Sequence, residues 1–348
     1  RPGVAIVVSP LISLMKDQVD ALVANGVAAA FYNSSMEEAE ARRTLARLHA
    51  GALDLLYVAP ERLMTEAFLA RLRELPIALF AIDEAHCVSQ WGHDFRPEYV
   101  QLGQLRGLFP GVPIMACTAT ADPETRDDVR LRLGLQDAAV YVTGFDRPNI
   151  RYTVVEKREP LHQLTQFLAA HPGESGIVYC LSRKRTEEVA ERLRAHGVGA
   201  AAYHAGLPAD ERRRVQDGFA RDDVPVVVAT VAFGLGIDKS DVRFVVHYDL
   251  PKSVESYYQE TGRSGRDGLP AEALLLFGLG DAAVVRSLVE GGGRGGSPDE
   301  AYERDPERVR VELHKLNAMV GYADGLTCRR EALLGYFGEP YPAPCGNC

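Results

Sequence analysis

The sequence predicts an α/β protein with two tandem parallel-sheet lobes followed by a helical tail that binds a metal. Short apolar, β-branched runs alternate with helical patterns, and this alternation is typical of parallel sheets covered by helices. The alternation stops at residues 144–149 and then begins again, which indicates a second lobe rather than one long sheet. Beyond residue 306 the pattern is helical and ends in a cysteine cluster. We therefore place the lobes at residues 1–144 and 145–281 and the tail module at residues 282–348.

The composition of the 348 residues is that of a globular protein, with 46% hydrophobic and 25% charged residues. No run of about 18 apolar residues occurs, so we expect no membrane span. The net charge of −9 disfavours a nucleic-acid partner, although a local basic surface is enough to bind one. Cys87, Cys117 and Cys180 stand alone near the ends of apolar runs. Isolated thiols favour a reducing compartment, so we expect a cytoplasmic protein, nucleoid-associated if bacterial.

The first lobe opens with a β-branched run at residues 4–8, which the turn residues Ser9 and Pro10 close. A helical pattern follows and stops at Gly26. The elements predicted for this lobe are strands at residues 4–8, 28–31, 53–58, 77–82, 113–117 and 139–143, and helices at residues 11–25, 37–50, 60–73 and 123–133.

The second lobe shows the same alternation, and its runs are again rich in valine, alanine and tyrosine. The elements predicted for it are strands at residues 151–155, 176–180, 200–203, 224–229, 244–248 and 271–276, and helices at residues 161–170, 182–196, 208–221 and 253–262. A helical tail at residues 306–338 follows.

Two adjacent acids, Asp83 and Glu84, follow the apolar run at residues 77–82. A buried parallel strand that ends in this way delivers carboxylates to the edge of the sheet where α/β folds bind ligands. One carboxylate there can hold Mg²⁺ while the next polarises a water, which is the pairing that phosphate-cleaving enzymes use. The stretch therefore predicts a phosphate-hydrolysing edge.

Aromatic side chains follow the acids within about a dozen residues. Trp91 is the only tryptophan of the chain, and His93, Phe95 and Arg96 come directly after it. Aromatic rings interleaved with a cation suit stacking on nucleobases. The sequence thus predicts a base-stacking loop beside the hydrolytic edge.

A second group of cations occurs in the second lobe. Gln259 opens a segment in which Arg263 and Arg266 stand three residues apart among glycines, which permit a close approach to a ligand. An arginine that reaches a γ-phosphate across the cleft between two lobes would stabilise charge on it, an effect of about 10³–10⁵ in rate in other NTPases.

These segments resemble, in chain order, the motifs of superfamily 2 helicases. The matching segments are residues 9–18, which begin Ser9-Pro10-Leu11, for motif Ia, Asp83-Glu84-Ala85-His86 for motif II, Thr118-Ala119-Thr120 for motif III, residues 230–238 for motif V and residues 259–266 for motif VI. Residues 87–97, Cys-Val-Ser-Gln-Trp-Gly-His-Asp-Phe-Arg-Pro, resemble the aromatic-rich loop of the RecQ family of DNA helicases almost letter for letter. The resemblance covers essentially the whole chain.

The resemblance implies two RecA-like lobes with an ATPase site, and it gives each matching residue a role. Asp83 would hold Mg²⁺, Glu84 would activate the attacking water, and Arg263 and Arg266 would act as catalytic arginines, with Arg266 as the arginine finger. The residues implied to couple ATP are His86, Gln259, Gly236 and Asp238. The residues implied to bind DNA are Ser9, Arg62, Trp91, His93, Phe95, Arg96 and Thr230.

Cys328, Cys345 and Cys348 have the spacing of zinc ligands, with a CxxC pair after a distant cysteine. Tetrahedral zinc needs a fourth ligand, and His314 on the helical tail is one candidate. The resemblance favours a further cysteine three residues beyond Cys348. The implied cofactors are therefore ATP, Mg²⁺ and Zn²⁺, and the implied partners are single-stranded and duplex DNA, with no membrane and no readable protein partner.

A Gly-Lys-Ser/Thr phosphate loop, which such an ATPase needs, does not occur in this sequence. The resemblance places that loop upstream of the run at residues 4–8, so we expect the chain to be a helicase core truncated at both ends.

The leading hypothesis is an ATP-dependent 3′-to-5′ DNA helicase of repair and recombination that couples ATP hydrolysis to translocation on single-stranded DNA. One alternative is a catalytically incomplete DNA-binding fragment, and another is a different superfamily 2 enzyme such as an RNA helicase. The aromatic-rich loop and the cysteine cluster favour the first hypothesis over the RNA helicase.

Overall fold

The computed structural model describes residues 2–10, 12–34, 36–234, 239–291 and 305–348. The chain forms two compact units, Arg1–Tyr141 and Val142–Cys348.

The first unit contains a five-stranded parallel sheet in the order β2-β3-β1-β4-β5. Its strands are β1 (Val4–Val8), β2 (Ala29–Tyr32), β3 (Leu55–Val58), β4 (Ile77–Ile82) and β5 (Ile114–Ala116). Its helices are α1 (Ile12–Ala24), α2 (Glu38–His49), α3 (Pro60–Leu63), α4 (Glu66–Arg73), α5 (Pro97–Val100), α6 (Leu105–Leu108) and α7 (Pro123–Arg132). Two 3₁₀ turns lie at Ala85–Val88 and Gln101–Gln104.

The apolar strands at the centre of this sheet explain why its functional edge is well fixed. Ile6, Phe80 and Ile82 are fully buried in one hydrophobic cluster with side chains of the covering helices. In the pairing of β1 with β4, Val8 lies opposite Ile82. The carboxyl ends of both strands therefore meet at the same edge, where Ser9 and Asp83 follow them.

One predicted strand of the first lobe is wrong. Residues 139–143 form no strand, and Val140, Tyr141 and Val142 are 54%, 88% and 54% exposed. A β-branched run becomes a strand only when a neighbouring strand takes up its hydrogen bonds. Among the described residues no strand pairs with this run, so its local propensity is not enough.

The second unit contains a six-stranded sheet in the order β6-β11-β10-β7-β9-β8, and all its pairings are parallel. Its strands are β6 (Ile150–Glu156), β7 (Gly176–Tyr179), β8 (Ala200–Tyr203), β9 (Val226–Ala229), β10 (Phe244–His247) and β11 (Ala271–Phe277). Its helices are α8 (Pro160–Ala169), α9 (Arg183–Ala195), α10 (Ala209–Ala220), α11 (Val254–Thr261), α12 (Leu279–Val289), α13 (Pro306–Asp324) and α14 (Arg329–Tyr336).

The helical tail packs onto the sheet of the second unit. Tyr152 of β6, Tyr257 of α11, Met319 of α13 and Phe337 after α14 are buried in one cluster. This shared core explains why the tail and the second lobe form one compact unit. The predicted boundary at residues 281 and 282 falls inside that unit and stays a prediction.

The predicted fold class is confirmed, because two parallel-sheet lobes are followed by a helical module. Within the described part of the chain, no helix combines the length and the apolar character needed to cross a membrane.

Candidate functional site

The acidic pair lies at the carboxyl end of β4, where the chain turns sharply. The Asp83 N–H donates to the carbonyl of Val8 at 2.9 Å, and the Tyr99 hydroxyl donates to the carbonyl of Asp83 at 3.1 Å. Glu84 has a φ of 47°, in the left-handed region that residues other than glycine rarely occupy. Such strain is stored where the surrounding structure fixes a functional group.

Burial raises the pKa of the Asp83 carboxyl, and the hydrogen bond from the Glu84 N–H opposes this only in part. A carboxylate that loses water without gaining a cation is unfavourable in the metal-free protein. The site therefore fits a divalent cation with oxygen ligands, such as Mg²⁺, which would restore the lost stabilisation.

His86 connects three features of the first unit. Its Nδ1 lies 2.8 Å from the hydroxyl of Thr118 and 3.4 Å from a carboxylate oxygen of Glu84. Its ring stacks on that of His93, with centroids 4.3 Å apart. Because His86 is buried, these contacts fix its ring. The acid of motif II, the threonine of motif III and the aromatic-rich loop thus meet around one imidazole.

The aromatic-rich loop, residues 87–97, is held against helix α7 by a serine. The Ser89 hydroxyl donates to the carboxylate of Asp128 at 2.6 Å and accepts a hydrogen bond from the Trp91 N–H at 3.1 Å. Asp128 also accepts from Arg132 at 2.8 Å. Trp91 itself is half-buried, so its ring is partly open to solvent.

The end of the same loop is tied to the edge of the sheet. The Arg96 guanidinium donates to the carboxylate of Asp94 at 2.9 and 3.1 Å and to the carbonyl of Pro10 at 3.1 Å. His93 and Phe95 are half-buried. A Cβ at Gly92 would overlap the carbonyl oxygen of His86, so only glycine fits there.

The predicted DNA-binding residues outside the loop have different surroundings. Ser9 is fully buried, and this closes its hydroxyl to a phosphate in this conformation. The guanidinium of Arg62 lies over the ring of Tyr32, 4.6 Å from its centroid, and is partly exposed. In the second unit, the Thr230 N–H donates to the carbonyl of Tyr203 at 3.2 Å.

The motif VI turn, residues 262–269, follows helix α11 in the second unit. Arg263 is buried and donates to the carbonyl of Gly234, whereas Arg266 is exposed. On the helix before the turn, Gln259 is half-buried and Glu260 pairs with His247 at 2.7 Å. The two predicted catalytic arginines, of which Arg266 is the predicted finger, therefore have different surroundings.

Gly236 and Asp238 of motif V lie outside the described residues. Lys239, directly after them, is nearly buried and pairs with Asp222 at 2.8 Å and Asp241 at 3.0 Å. This pairing anchors the end of motif V to the second unit.

The cysteine cluster fits a zinc ion. The Sγ atoms of Cys328, Cys345 and Cys348 all lie within 4.8 Å of one another, and those of Cys328 and Cys348 are 3.9 Å apart. Zn–S bonds of about 2.3 Å in a tetrahedron place two sulfurs about 3.8 Å apart. His314 does not belong to this group. Among the described residues, the fourth ligand is not provided.

The chemistry of Cys328 also suits a metal ligand. Burial would raise the pKa of its thiol, but N–H groups at the start of helix α14 and the neighbouring Cys345 lower it to about 7. A thiol at a helix N-terminus is more readily deprotonated, and the thiolate is the form that binds zinc.

Sequence reasoning missed three residues that position these groups. Tyr99 and Asp128 contact the acid and the loop, and Arg147 binds the motif VI turn. Arg147 lies in the segment that the sequence marks only as a boundary. Its composition, Asp-Arg-Pro-Asn, includes residues that are typical of turns, which indicates a turn but does not identify a partner for Arg147.

Family comparisons agree with this geometry. Residues 1–129 match the family model described as DEAD/DEAH box helicase, and residues 156–268 match the helicase conserved C-terminal domain. Residues 279–348 match the model described as RecQ zinc-binding.

Individual relatives are similar over almost the whole chain. It is 54% identical to the ATP-dependent DNA helicase RecQ of Pasteurella multocida, an alignment that covers 99% of this chain and 53% of the relative. For the protein of the same name from Haemophilus influenzae the identity is 53%, with 99% and 54% covered. The chain thus spans about half the length of these relatives.

Among solved structures, Saccharomyces cerevisiae Dbp5 bound to RNA and ADP BeF3 is similar, with a TM-score of 0.62. The identity is 17%, and 90% of this chain and 83% of that one are covered, so the similarity concerns the fold alone.

Two parallel-sheet lobes, one of which matches the DEAD/DEAH box model and the other the helicase C-terminal model, place the chain in the helicase class of proteins. Within this class, the aromatic-rich loop and the match to the RecQ zinc-binding model indicate the RecQ family. With 53–54% identity to RecQ proteins over 99% of its length, the chain belongs to the RecQ helicase family.

Proposed function

We propose that the full-length protein is an ATP-dependent DNA helicase that moves 3′-to-5′ on single-stranded DNA and unwinds duplex DNA in repair and recombination. Family membership supports this proposal. The observation that carries it is the cluster around His86, in which Glu84, Thr118 and the ring of His93 meet. A DNA-binding loop and an ATPase acid in contact with one buried side chain provide a direct physical link between the two activities.

Asp83 and Glu84 would have different roles in ATP hydrolysis. Asp83 would hold Mg²⁺, which supplies Lewis-acid stabilisation of the phosphate charge when it is bound. Glu84, next to it, orients a water and accepts its proton. The two carboxylates have different partners, since that of Asp83 accepts from the Glu84 N–H at 2.9 Å and that of Glu84 lies 3.4 Å from Nδ1 of His86.

The two arginines of the motif VI turn have separate roles. Arg263 stabilises the turn through the carbonyl of Gly234, which lies within motif V. Arg266 is exposed, and we assign it to the γ-phosphate, where it stabilises developing charge.

The aromatic-rich loop would bind single-stranded DNA through Trp91 and Phe95. One base stacked on an aromatic ring is worth about 1–3 kcal/mol, which is enough to shift a loop between two arrangements. A shift of the loop would reach His93 and, through its stacked ring, His86 and Glu84. DNA binding is thereby coupled to the water-activating carboxylate.

A Trp91→Ala variant of the full-length protein tests this coupling. We expect the stimulation of ATP hydrolysis by single-stranded DNA to be lost, while basal hydrolysis stays unchanged. Steady-state ATPase assays with and without an oligonucleotide measure both. Tyr141→Ala removes an exposed aromatic ring from the same unit and serves as the control. Full stimulation in Trp91→Ala would refute the coupling role.

An RNA helicase is the second candidate, because the two-lobed fold also occurs in a protein solved with RNA. ATPase stimulation by RNA that exceeds stimulation by DNA would favour it. A DNA-binding protein without catalysis is the third candidate, and equilibrium binding distinguishes it, since micromolar affinity for ATP with Mg²⁺ would exclude it.

A further inference from the structure

The segment at residues 145–150 lies between the motif VI turn and the cysteine module. It leads into strand β6, and its side chains make polar contacts on both sides. Motif matching gives this segment no role. Its contacts on both sides indicate that it links the motif VI turn to the cysteine module.

On one side, Arg147 binds the backbone of the motif VI turn. Its guanidinium donates to the carbonyl of Gly262 at 3.0 Å, of Ser264 at 2.9 Å and of Gly265 at 3.0 Å. These three carbonyls flank Arg263 and directly precede Arg266. One planar guanidinium group thus fixes the backbone on both sides of Arg263 and directly before Arg266.

Asn149 extends the same contact. Its side-chain amide donates to the carbonyls of Gly265 and Leu269, both at 2.8 Å. Gly265 has a φ of 59° and leaves no room for a Cβ, which would approach the Asn149 amide. The segment therefore adds side-chain hydrogen bonds to a turn whose own backbone supplies others, such as that from the Gly268 N–H to the carbonyl of Gly265 at 3.0 Å.

On the other side, Arg330 holds the segment itself. It is 2% exposed and donates to the carboxylate of Asp146, to the carbonyl of Arg147 at 2.8 Å and to the carbonyl of Ile150 at 2.7 Å. Arg330 lies in the first turn of helix α14, two residues after Cys328. A second contact comes from Asn347, between Cys345 and Cys348, whose amide donates to the carbonyl of Pro148 at 3.3 Å.

Apolar packing strengthens the connection. The ring of Phe145 stacks on that of Phe337, with centroids 4.5 Å apart and planes at 9°. The Tyr258 hydroxyl, from helix α11, donates to the carbonyl of Phe145 at 2.9 Å. The segment is therefore fixed by both polar and aromatic contacts.

We propose that Arg147 is a positioning residue for the motif VI turn and that Arg330 holds Arg147 in place, so that the order of the turn depends on the cysteine module. The chain of contacts runs from the cysteine cluster through Arg330 to Asp146 and Arg147, and from there to the backbone around Arg263 and Arg266. The consequence for ATP hydrolysis rests on the proposed function, whereas the ordering of the turn does not.

Hydrogen exchange in the full-length protein tests the ordering directly. In Arg147→Lys, amides of residues 262–269 should exchange about tenfold faster or more, the size expected when charge-assisted hydrogen bonds to backbone carbonyls are lost. Arg330→Lys should give the same pattern. Arg151→Lys is the matched control, because Arg151 lies nearby on β6 and its guanidinium forms a surface pair with Glu272 at 4.0 Å.

The position of the faster-exchanging amides distinguishes a positioning role of Arg147 from a general loss of stability. Arg147→Lys should leave exchange in strands β1 and β4 of the other unit unchanged and should keep the zinc content. Exchange at residues 262–269 equal to that of Arg151→Lys would overturn the proposal, as would acceleration spread over both sheets.

ATPase kinetics distinguish this inference from the proposed function. If the parent protein hydrolyses ATP, Arg147→Lys should lower kcat about tenfold with little change in KM, because the arginine that acts late in the reaction is displaced. If the parent has no ATPase activity, the proposed function fails but the exchange result still decides the role of Arg147. A lower kcat with unchanged exchange in the turn would refute the positioning role.

Removal of the metal tests whether the contact chain begins at the cysteine cluster. Treatment with a zinc chelator, followed by metal analysis, should accelerate exchange at residues 262–269 and in helix α14 before it affects strands β7 and β9. Unchanged exchange in the turn of the metal-free protein would exclude a role for the cysteine module.

Discussion

The aromatic-rich loop and the motif VI turn are both irregular segments that carry functional side chains, but they are held in different ways. The loop is held mainly by side chains, through Ser89 with Asp128, Arg96 with Asp94, and the stacked rings of His86 and His93. The turn is held by its backbone, since Arg147 and Asn149 bind its carbonyl oxygens.

This difference corresponds to two different tasks. A loop held by a few side-chain contacts can exchange them for contacts with a base, because each is worth only about 1–3 kcal/mol. A turn with its carbonyls bound on several sides can move only when several hydrogen bonds break together. We therefore expect the loop to respond to DNA and the turn to keep Arg263 and Arg266 in place.

The largest effect should come from a side chain of the turn. Arg266→Ala should lower kcat for ATP by about 10³-fold or more, because an arginine on the γ-phosphate has effects of about 10³–10⁵. Hydrogen exchange of residues 262–269 should stay as in the parent, since Arg147 still binds the backbone. Arg158→Ala removes another exposed arginine of the second unit and should leave kcat unchanged. A small effect of Arg266→Ala would indicate that Arg263, rather than Arg266, stabilises charge on the γ-phosphate.

A smaller effect should come from the tether of the loop. Asp128→Asn removes the charge that strengthens the 2.6 Å hydrogen bond from Ser89, a loss of about 1–3 kcal/mol. Stimulation by single-stranded DNA should fall several-fold. Because Trp91 is the only tryptophan of this chain, its fluorescence reports the loop, and it should become more accessible to acrylamide.

The neighbouring acid provides the control for this tether. Asp127 is exposed and pairs with Arg130 at 3.5 Å, so Asp127→Asn should change neither stimulation nor quenching. If both variants behave alike, the loop is not held through helix α7, and the contrast with the turn disappears.

The smallest effect concerns Asp83. Burial raises the pKa of its carboxyl in the folded state, so between the unfolded and the folded pKa the folded protein binds more protons. This group therefore makes stability fall as the pH rises through that window. Without Mg²⁺, Asp83→Asn should melt about 1–2 °C higher than the parent at pH 7 and no higher below pH of about 4.

Thermal melts at the two pH values measure this difference. Asp20→Asn, which changes an exposed acid paired with Lys16, should show no such pH dependence. A lower melting temperature for Asp83→Asn at pH 7 would mean that the carboxylate is stabilised in the metal-free protein.

The sequence was sufficient for most of the fold because its signals are local. The strands Ile77–Ile82 and Ala200–Tyr203 agree with the predicted bounds residue for residue, since β-branched or small apolar runs there end at clear turn residues. Residues 139–143 have the same local signal but no neighbouring strand, and strand pairing is a property that no local pattern contains.

The site was predictable for the residues that lie in motifs and not for those that hold them. Arg147 contacts carbonyls 115–118 residues away, and Ser89 binds an acid 39 residues away. Such partners cannot be found by spacing along the chain. The burial of Ser9 was also not predictable, because it depends on how tightly the edge of the sheet closes.

The contact of Arg147 with carbonyl oxygens has a consequence for how this protein can change. Carbonyl groups are present whatever the side chains are, so Arg147 places no demand on the identity of Ser264. The identity of Ser264 is constrained by other contacts, since its buried hydroxyl donates to the carbonyl of Thr261 at 2.8 Å, and Gly265 is constrained by its left-handed backbone. The constraint that comes from the carbonyl contacts falls on an arginine more than a hundred residues earlier in the chain.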